Sequence, residues 1–259
     1  MLTQNRNLRT GKSAWQKRPR PAFETDTLDK DEHADVIVVG TGISGALVAD
    51  ALLNSGFCVV TVNRREPMTG STPASTSLLL FELDTPLTVL NRKVGRERAA
   101  RAWLRSASAV GALGDRITDL QIACDFRERS TVYLPGNVLG VRGLKHETEE
   151  RRRLGLRSEF IGRKELRRLV GIVKPGAILS RGNAEADPIK LVTGLWHQFR
   201  EAGGKMVSPF DAVELDESKG GVSVRAADGR RIIVKHVVMC TGYELPKSMN
   251  TKGLKVVST

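Results

Sequence analysis

The apolar pattern opens at Asp35-Val-Ile-Val-Val39, a continuous β-branched run of the kind buried on both faces of a parallel sheet. It leads into Gly40-Thr-Gly-Ile-Ser-Gly45 and a helical stretch, Ala46–Ser55, closed by Gly56. Cys58-Val-Val-Thr-Val62 reads as a second strand of the same type, so residues 35–63 form a strand–helix–strand unit. Ser71–Ser77 is rich in hydroxyls and small residues and reads as a loop or helix start. Between Asn91 and Ile117, Trp103, Leu104, Val110 and Leu113 recur at helical spacing and predict one long amphipathic helix. Residues 118–183 mix short elements with many charges and yield no clear order. Asp187-Pro188 starts a further helix, with aspartate as N-cap and proline in the first turn. Its stripe is Ile189, Val192, Leu195, Trp196 and Phe199, and it stops at Gly203-Gly204. Short strands are expected near Met206–Ser208, Ala212–Asp216, Val222–Ala226 and Arg231–Met239, ending in Val237-Val-Met-Cys-Thr-Gly-Tyr243. The fold class is α/β, without internal repeats.

Charge sharpens this picture only locally. The 259 residues carry 41 Lys+Arg against 29 Asp+Glu, a net +12. Residues 1–23 contain six basic residues (Arg6, Arg9, Lys12, Lys17, Arg18, Arg20) and no acid. Residues 142–168 add ten basic and five acidic residues, so the remaining chain is nearly neutral. The first segment is a polar leader without the apolar stretch of a secretory signal. The second, with Glu147, Glu149, Glu150 and Arg151–Arg153, reads as a solvated helix face laced with ion pairs. Neither interleaves aromatics as a base-stacking surface would, so nucleic acid is not an expected partner. No apolar run is long enough to span a bilayer. Cys58, Cys124 and Cys240 are odd in number and far apart, which excludes a disulfide framework or a CxxC metal knuckle. They fit a reducing compartment, and a cytoplasmic location is expected.

The chemistry sits in the glycine motif. Placed between a buried strand and a helix, Gly40 permits the tight turn and Gly42 lets backbone approach a pyrophosphate. Gly45 allows close packing of helix on strand, while Ile43 and Ser44 belong to the helix start, whose N–H groups favour an anion. An acid is expected at the end of the second strand to grip a ribose hydroxyl, but Asn63 stands there, followed by Arg64 and Arg65. Two arginines could receive the 2′-phosphate of NADP. The motif alone leaves FAD, NAD and NADP open.

Four stretches resemble the FAD-dependent oxidoreductases of the D-amino acid oxidase, glycine oxidase and sarcosine oxidase type. They are Asp35–Gly56; Gly70-Ser-Thr-Pro-Ala-Ser-Thr76; Ala186-Asp-Pro188 with the helix ending in Gly203-Gly204; and Val237–Tyr243. The leader segment Leu8–Trp15 is also similar to some bacterial members. The resemblance implies FAD as cofactor, with Ser71, Thr72 and Ser75 on the flavin side, Val213 near the adenine, and Thr241 and Gly242 at the late strand's end. It implies a Rossmann-like FAD-binding domain of three-layer β/β/α character, formed by residues 31–115 and 185–259. A leader would occupy 1–30, and an incomplete α+β substrate domain 116–184. The implied reaction removes hydride from a C–N bond of an amino acid or other amine, with oxygen or a carrier as final acceptor. Family members continue well beyond the Thr-Gly strand, so the chain is expected to be C-terminally truncated.

Asn63 for the acid, and Cys240 for the alanine before Thr241-Gly242, depart from the family pattern. His33, His146, His197 and His236 lie in no nucleophile or metal motif, and no catalytic residue is assigned. Tyr243 is placed at the border of the flavin or in packing; Cys58 and Cys124 read as buried core thiols. The alternatives are an NADP-binding reductase, a truncated product without turnover, and a nucleic-acid module.

Overall fold

The computed structural model describes residues 13–17, 23–218 and 220–244. Most of the leader's basic residues, and the chain after Glu244, lie outside the described residues. The chain divides into two compact units, residues 1–76 with 187–259, and residues 77–186.

In the first unit, β1 (Glu32–Val39) runs through α1 (Ile43–Asn54) into β2 (Val59–Val62), as the apolar pattern predicts. Cys58 precedes β2 and is exposed, unlike the core thiol expected; Cys124 is buried. In the second unit come β3 (Leu78–Leu79), α2 (Leu87–Val94), α3 (Arg96–Asp119), β4 (Arg127–Tyr133) and α4 (Val141–Arg153). It continues with β5 (Ser158–Gly162), α5 (Arg163–Val170) and β6 (Gly176–Glu185). The first unit then resumes with α6 (Pro188–Glu201), β7 (Lys205–Val207), β8 (Ala212–Ser218), β9 (Gly221–Ala226) and β10 (Arg231–Met239).

The first unit's six-stranded sheet has the order β7-β2-β1-β10-β9-β8. β1 pairs in parallel with β2 and β10, so Val39 stands beside both Val62 and Met239. This register brings the glycine motif after β1 next to Cys240-Thr241-Gly242 after β10. β9 joins β10 antiparallel over only part of its length, Val222 to Arg225 against Arg231 to Val234. On one sheet face Val224, Ala226, Ile232 and Val234 share a core with Ile37, Val60 and Val62. The alternating residues Val36 and Val38, buried too, point to the opposite face, where α1 and α6 pack on each other. In α6, Asp187 caps the helix by accepting from Ile189 N and Lys190 N at 2.9 and 3.1 Å. Its buried stripe is Leu191, Val192, Leu195, Trp196 and Phe199, with Ile189 only partly buried.

Part of the expected leader belongs to this unit. Asp26 bridges Val207 and pairs with Arg200 at 2.9 Å, and Leu28 packs on the sheet core. The first segment also ends at Thr76 and not at 115. Residues 77–115 join the second unit because Phe81, Leu87, Ala99 and Trp103 bury themselves against Leu156. The single helix expected from Asn91 is broken at Gly95, whose φ of 86° no helix accommodates, and Leu104 points to solvent.

In the second unit β6 pairs with β3, β4 and β5 in one antiparallel sheet. The charged segment over α4 is a helix with ion pairs, but not a wholly solvated face. Glu147 and Arg151, one turn apart, are 0% and 1% exposed. Glu147 accepts from Leu87 N, Thr88 N and Thr88 Oγ1, capping α2 from outside, and from Arg151 Nε at 2.8 Å. Arg151 also reaches Glu82 at 3.0 Å and lies 4.5 Å over the Trp103 ring. Burial acts to raise the Glu147 carboxyl, but the bonds from Thr88 and the charge of Arg151 hold it below the usual carboxylate range.

Candidate cofactor site

The turn after β1 is built by close backbone approach. Gly40 N donates to Val62 O at 2.8 Å, with φ at 117°. A Cβ on Gly40 would lie 2.3 Å from Cys240 O, and one on Gly45 only 1.8 Å from Gly40 O. Both positions are closed to any side chain, so the turn, α1 and β10 are fixed against one another. Gly42 differs: its backbone is in the extended region, and a Cβ there would meet only Thr72 Oγ1, at 3.1 Å. Its lack of a side chain leaves open space at the helix start.

That start is prepared for an anion. No side chain of its own caps α1, and its first turn contains no acid. Ile43 N donates across to Thr72 Oγ1 at 3.0 Å, which ties the 70–76 segment to the helix N-terminus. The Thr41 hydroxyl is buried without a hydrogen-bond partner, while its carbonyl accepts from the Trp196 indole at 3.1 Å. A buried orphan hydroxyl beside a helix N-terminus is a polar group in want of a ligand oxygen. Together the glycine cradle, helix start and free hydroxyl fit the pyrophosphate of a dinucleotide such as FAD.

Most of the residues singled out in the sequence line this groove: Gly40, Gly42, Ile43, Ser44, Asn63, Arg64, Arg65, Ser71, Thr72, Thr241 and Gly242. Gly45 serves packing instead. Ser75 is exposed outside the groove, where its carbonyl accepts from the Trp15 indole at 2.9 Å. Asp211 and Ala212 line the groove where Val213 was expected, because a register shift between Ala212 and Glu214 displaces Val213. Cys240 also lines it, and burial pushes its thiol pKa up, so it is neutral near pH 7.

Sequence reading missed Glu244. Its carboxylate lies in the groove, accepts from Arg65 Nη2 at 2.8 Å and Nη1 at 3.2 Å, and forms an ion pair with Arg64. Burial acts to raise its pKa, but Arg65 and Arg64 outweigh this and hold it below the usual carboxylate range. The available signal was its position three residues after Thr241, at the end of a strand whose partner strand adjoins β2. Asn63 turns its amide inward, donating to Arg65 O at 2.7 Å and Glu66 O at 3.2 Å. The histidines are elsewhere: His33, His146, His197 and His236 are exposed, His197 stacking on Phe23 at 5.5 Å. Tyr243 is half-exposed. Among the described residues no group of three metal-ligating side chains occurs, and no helix is long and apolar enough to cross a membrane.

A family model described as FAD dependent oxidoreductase (DAO) matches residues 35–257, the span that contains every wall of this groove. The chain belongs to that family. Gamma-glutamylputrescine oxidoreductase of Escherichia coli K12 is 25% identical over 244 residues, which is 90% of this chain and 57% of the relative. L-amino acid deaminase from Proteus vulgaris superposes with a TM-score of 0.69 at 18% identity, covering 84% of this chain and 55% of that one. Glycine oxidase from Geobacillus kaustophilus gives 0.64 at 18%, covering 82% and 56%. The chain spans 42–57% of the length of the curated relatives it matches. Membership selects FAD among the nucleotides that the glycine motif left open.

Proposed function

We propose that this chain is the nucleotide-holding portion of a flavoenzyme that oxidises a C–N bond of an amino acid or other small amine. The observation that carries the reading is the groove itself, an orphaned hydroxyl and a helix N-terminus inside a glycine cradle, in a member of this family. Bound FAD supplies the hydride acceptor. The chain's own residues do the holding. The α1 start and Thr41 meet the pyrophosphate, Ser71 and Thr72 border the path towards the flavin, and Thr241-Gly242 close the wall from β10. The neutral Cys240 thiol adds no charge to that wall. Residues 77–186 are read as the first part of a substrate-holding unit, in line with relatives named for amine and amino-acid chemistry. The final acceptor in this reading is oxygen or an electron carrier. A cytoplasmic location accords with three cysteines that are odd in number and far apart in the sequence.

The arrangement of Arg64 and Arg65 weakens the NADP reading, since both are paired with Glu244, which offsets one of their two positive charges. The test has two stages. Purified protein should be yellow, or take up FAD with quenching of its fluorescence, and the absorbance should bleach anaerobically with a suitable amine. A colourless protein that takes up no FAD would refute the cofactor assignment. FAD uptake without bleaching by any of a broad amine and amino-acid panel would refute the C–N assignment for this chain.

A further inference from the structure

The acid that a dinucleotide fold places at the end of its second strand grips the adenosine ribose. Here the position holds Asn63, and its amide nitrogen is engaged by two carbonyls of the following turn. The adjoining Arg64 and Arg65 do not replace that acid, since a guanidinium only donates and a ribose hydroxyl is best oriented by a strong acceptor. Another chain segment brings a carboxylate to the same place. Glu244, 8% exposed, lines the groove and spans both arginines.

The geometry assigns to Glu244 the ribose-recognising role that β2 leaves vacant, and makes it the residue that selects an unphosphorylated adenosine ribose over a 2′-phosphorylated one. This rests on the FAD reading of the groove. Arg65 donates two hydrogen bonds to the carboxylate and Arg64 adds an ion pair, so its two ionised oxygens, with about four acceptor sites, keep room for a hydroxyl. The arginines fix the carboxylate in position and keep it ionised. A 2′-phosphate brought to the same point would meet that carboxylate as well as the guanidiniums already paired with it, so a like-charge contact offsets part of their attraction. Arg64 and Arg65 are thereby positioning residues for Glu244, not phosphate receptors. Asp211 is the other carboxylate lining the groove, and it stands beside Ala212 at the start of β8.

The test is calorimetric titration of the chain with FAD, 5′-ADP, 2′-deoxy-5′-ADP and 2′-phospho-5′-ADP. Wild type should bind 5′-ADP about tenfold more tightly than either altered ribose, the scale of one charge-assisted hydrogen bond. Glu244→Gln should lose most of the preference for the 2′-hydroxyl and gain about tenfold for the 2′-phosphate. Asp211→Asn should leave both ratios unchanged. Wild type that prefers the 2′-phosphate overturns the assignment without any variant. So does a Glu244→Gln loss that is equal for all four ligands, or a ratio that shifts in Asp211→Asn instead. FAD and 5′-ADP binding with unaltered ratios in Glu244→Gln defeats this inference alone. Binding of no adenosine ligand defeats it together with the FAD reading.

Discussion

Replacing Arg151 with methionine probes the buried network of the second unit. Methionine keeps the apolar stem and leaves the Glu147 and Glu82 carboxylates without their cation. Breaking one side of a buried ion pair costs about 3–5 kcal/mol. Glu147 keeps three hydrogen bonds, from Leu87 N, Thr88 N and Thr88 Oγ1, and Glu82 keeps those from Thr131 and Asn183. These retained bonds place the loss at the lower end, about 3 kcal/mol, including the cation–π contact with Trp103. With a urea dependence of about 2 kcal/mol per molar, the unfolding midpoint should fall by about 1.5 M. The two units need not unfold together, so the assay is urea-dependent hydrogen exchange on peptides from α4 and β6. Adding Glu147→Gln should recover about 1 kcal/mol or more, because the more deeply buried of the two unpaired charges is then gone. A loss below about 1 kcal/mol, or a double variant whose losses simply add, would refute the account of the network.

Other outcomes follow from the same physics. Glu147 titrates below its ordinary value of 4.5, so its contribution is complete above that pH and is lost as pH falls through the lower folded value. Acid unfolding of the second unit should therefore be steep below about pH 4.5 in wild type and shallower in Glu147→Gln, as followed by exchange or circular dichroism. Gly45→Ala should cost more than about 3 kcal/mol or prevent folding, since its methyl would meet Gly40 O at 1.8 Å; thermal melting or soluble yield reads this. Trp15→Phe removes one hydrogen bond to Ser75 O and should raise exchange at residues 70–76 by about two- to tenfold while the sheet is unaffected. Equal exchange in the two proteins would show that Trp15 does not hold that segment.

The first unit was largely legible because its signals are local. A β-branched run, a glycine turn and an Asp-Pro helix start are each fixed by neighbours in sequence, and the structure keeps them at those places. Asn91–Ile117 was misjudged because periodicity tolerates one glycine that the backbone uses to break the helix at Gly95. Arg151 was read as solvated because charge at helical spacing looks alike on either face. Its burial depends on Glu82, 69 residues away, and on Trp103, which no window around α4 contains. Glu244 escaped for a similar reason: its partners Arg64 and Arg65 lie 179 and more residues back, joined to it only by the β1–β10 register. Val213 was displaced by one register shift, a feature that strand patterns do not reveal.

The central claim is that the cradle around Gly42 holds the pyrophosphate of FAD. Gly42→Val tests it most directly, because the backbone there accepts a side chain and only Thr72 Oγ1 lies within reach of the new Cβ. FAD is titrated into both proteins by fluorescence quenching, with circular dichroism confirming the fold. The account predicts that wild type binds FAD and that Gly42→Val, still folded, binds at least a hundredfold more weakly. A folded Gly42→Val that binds FAD as well as wild type would contradict it.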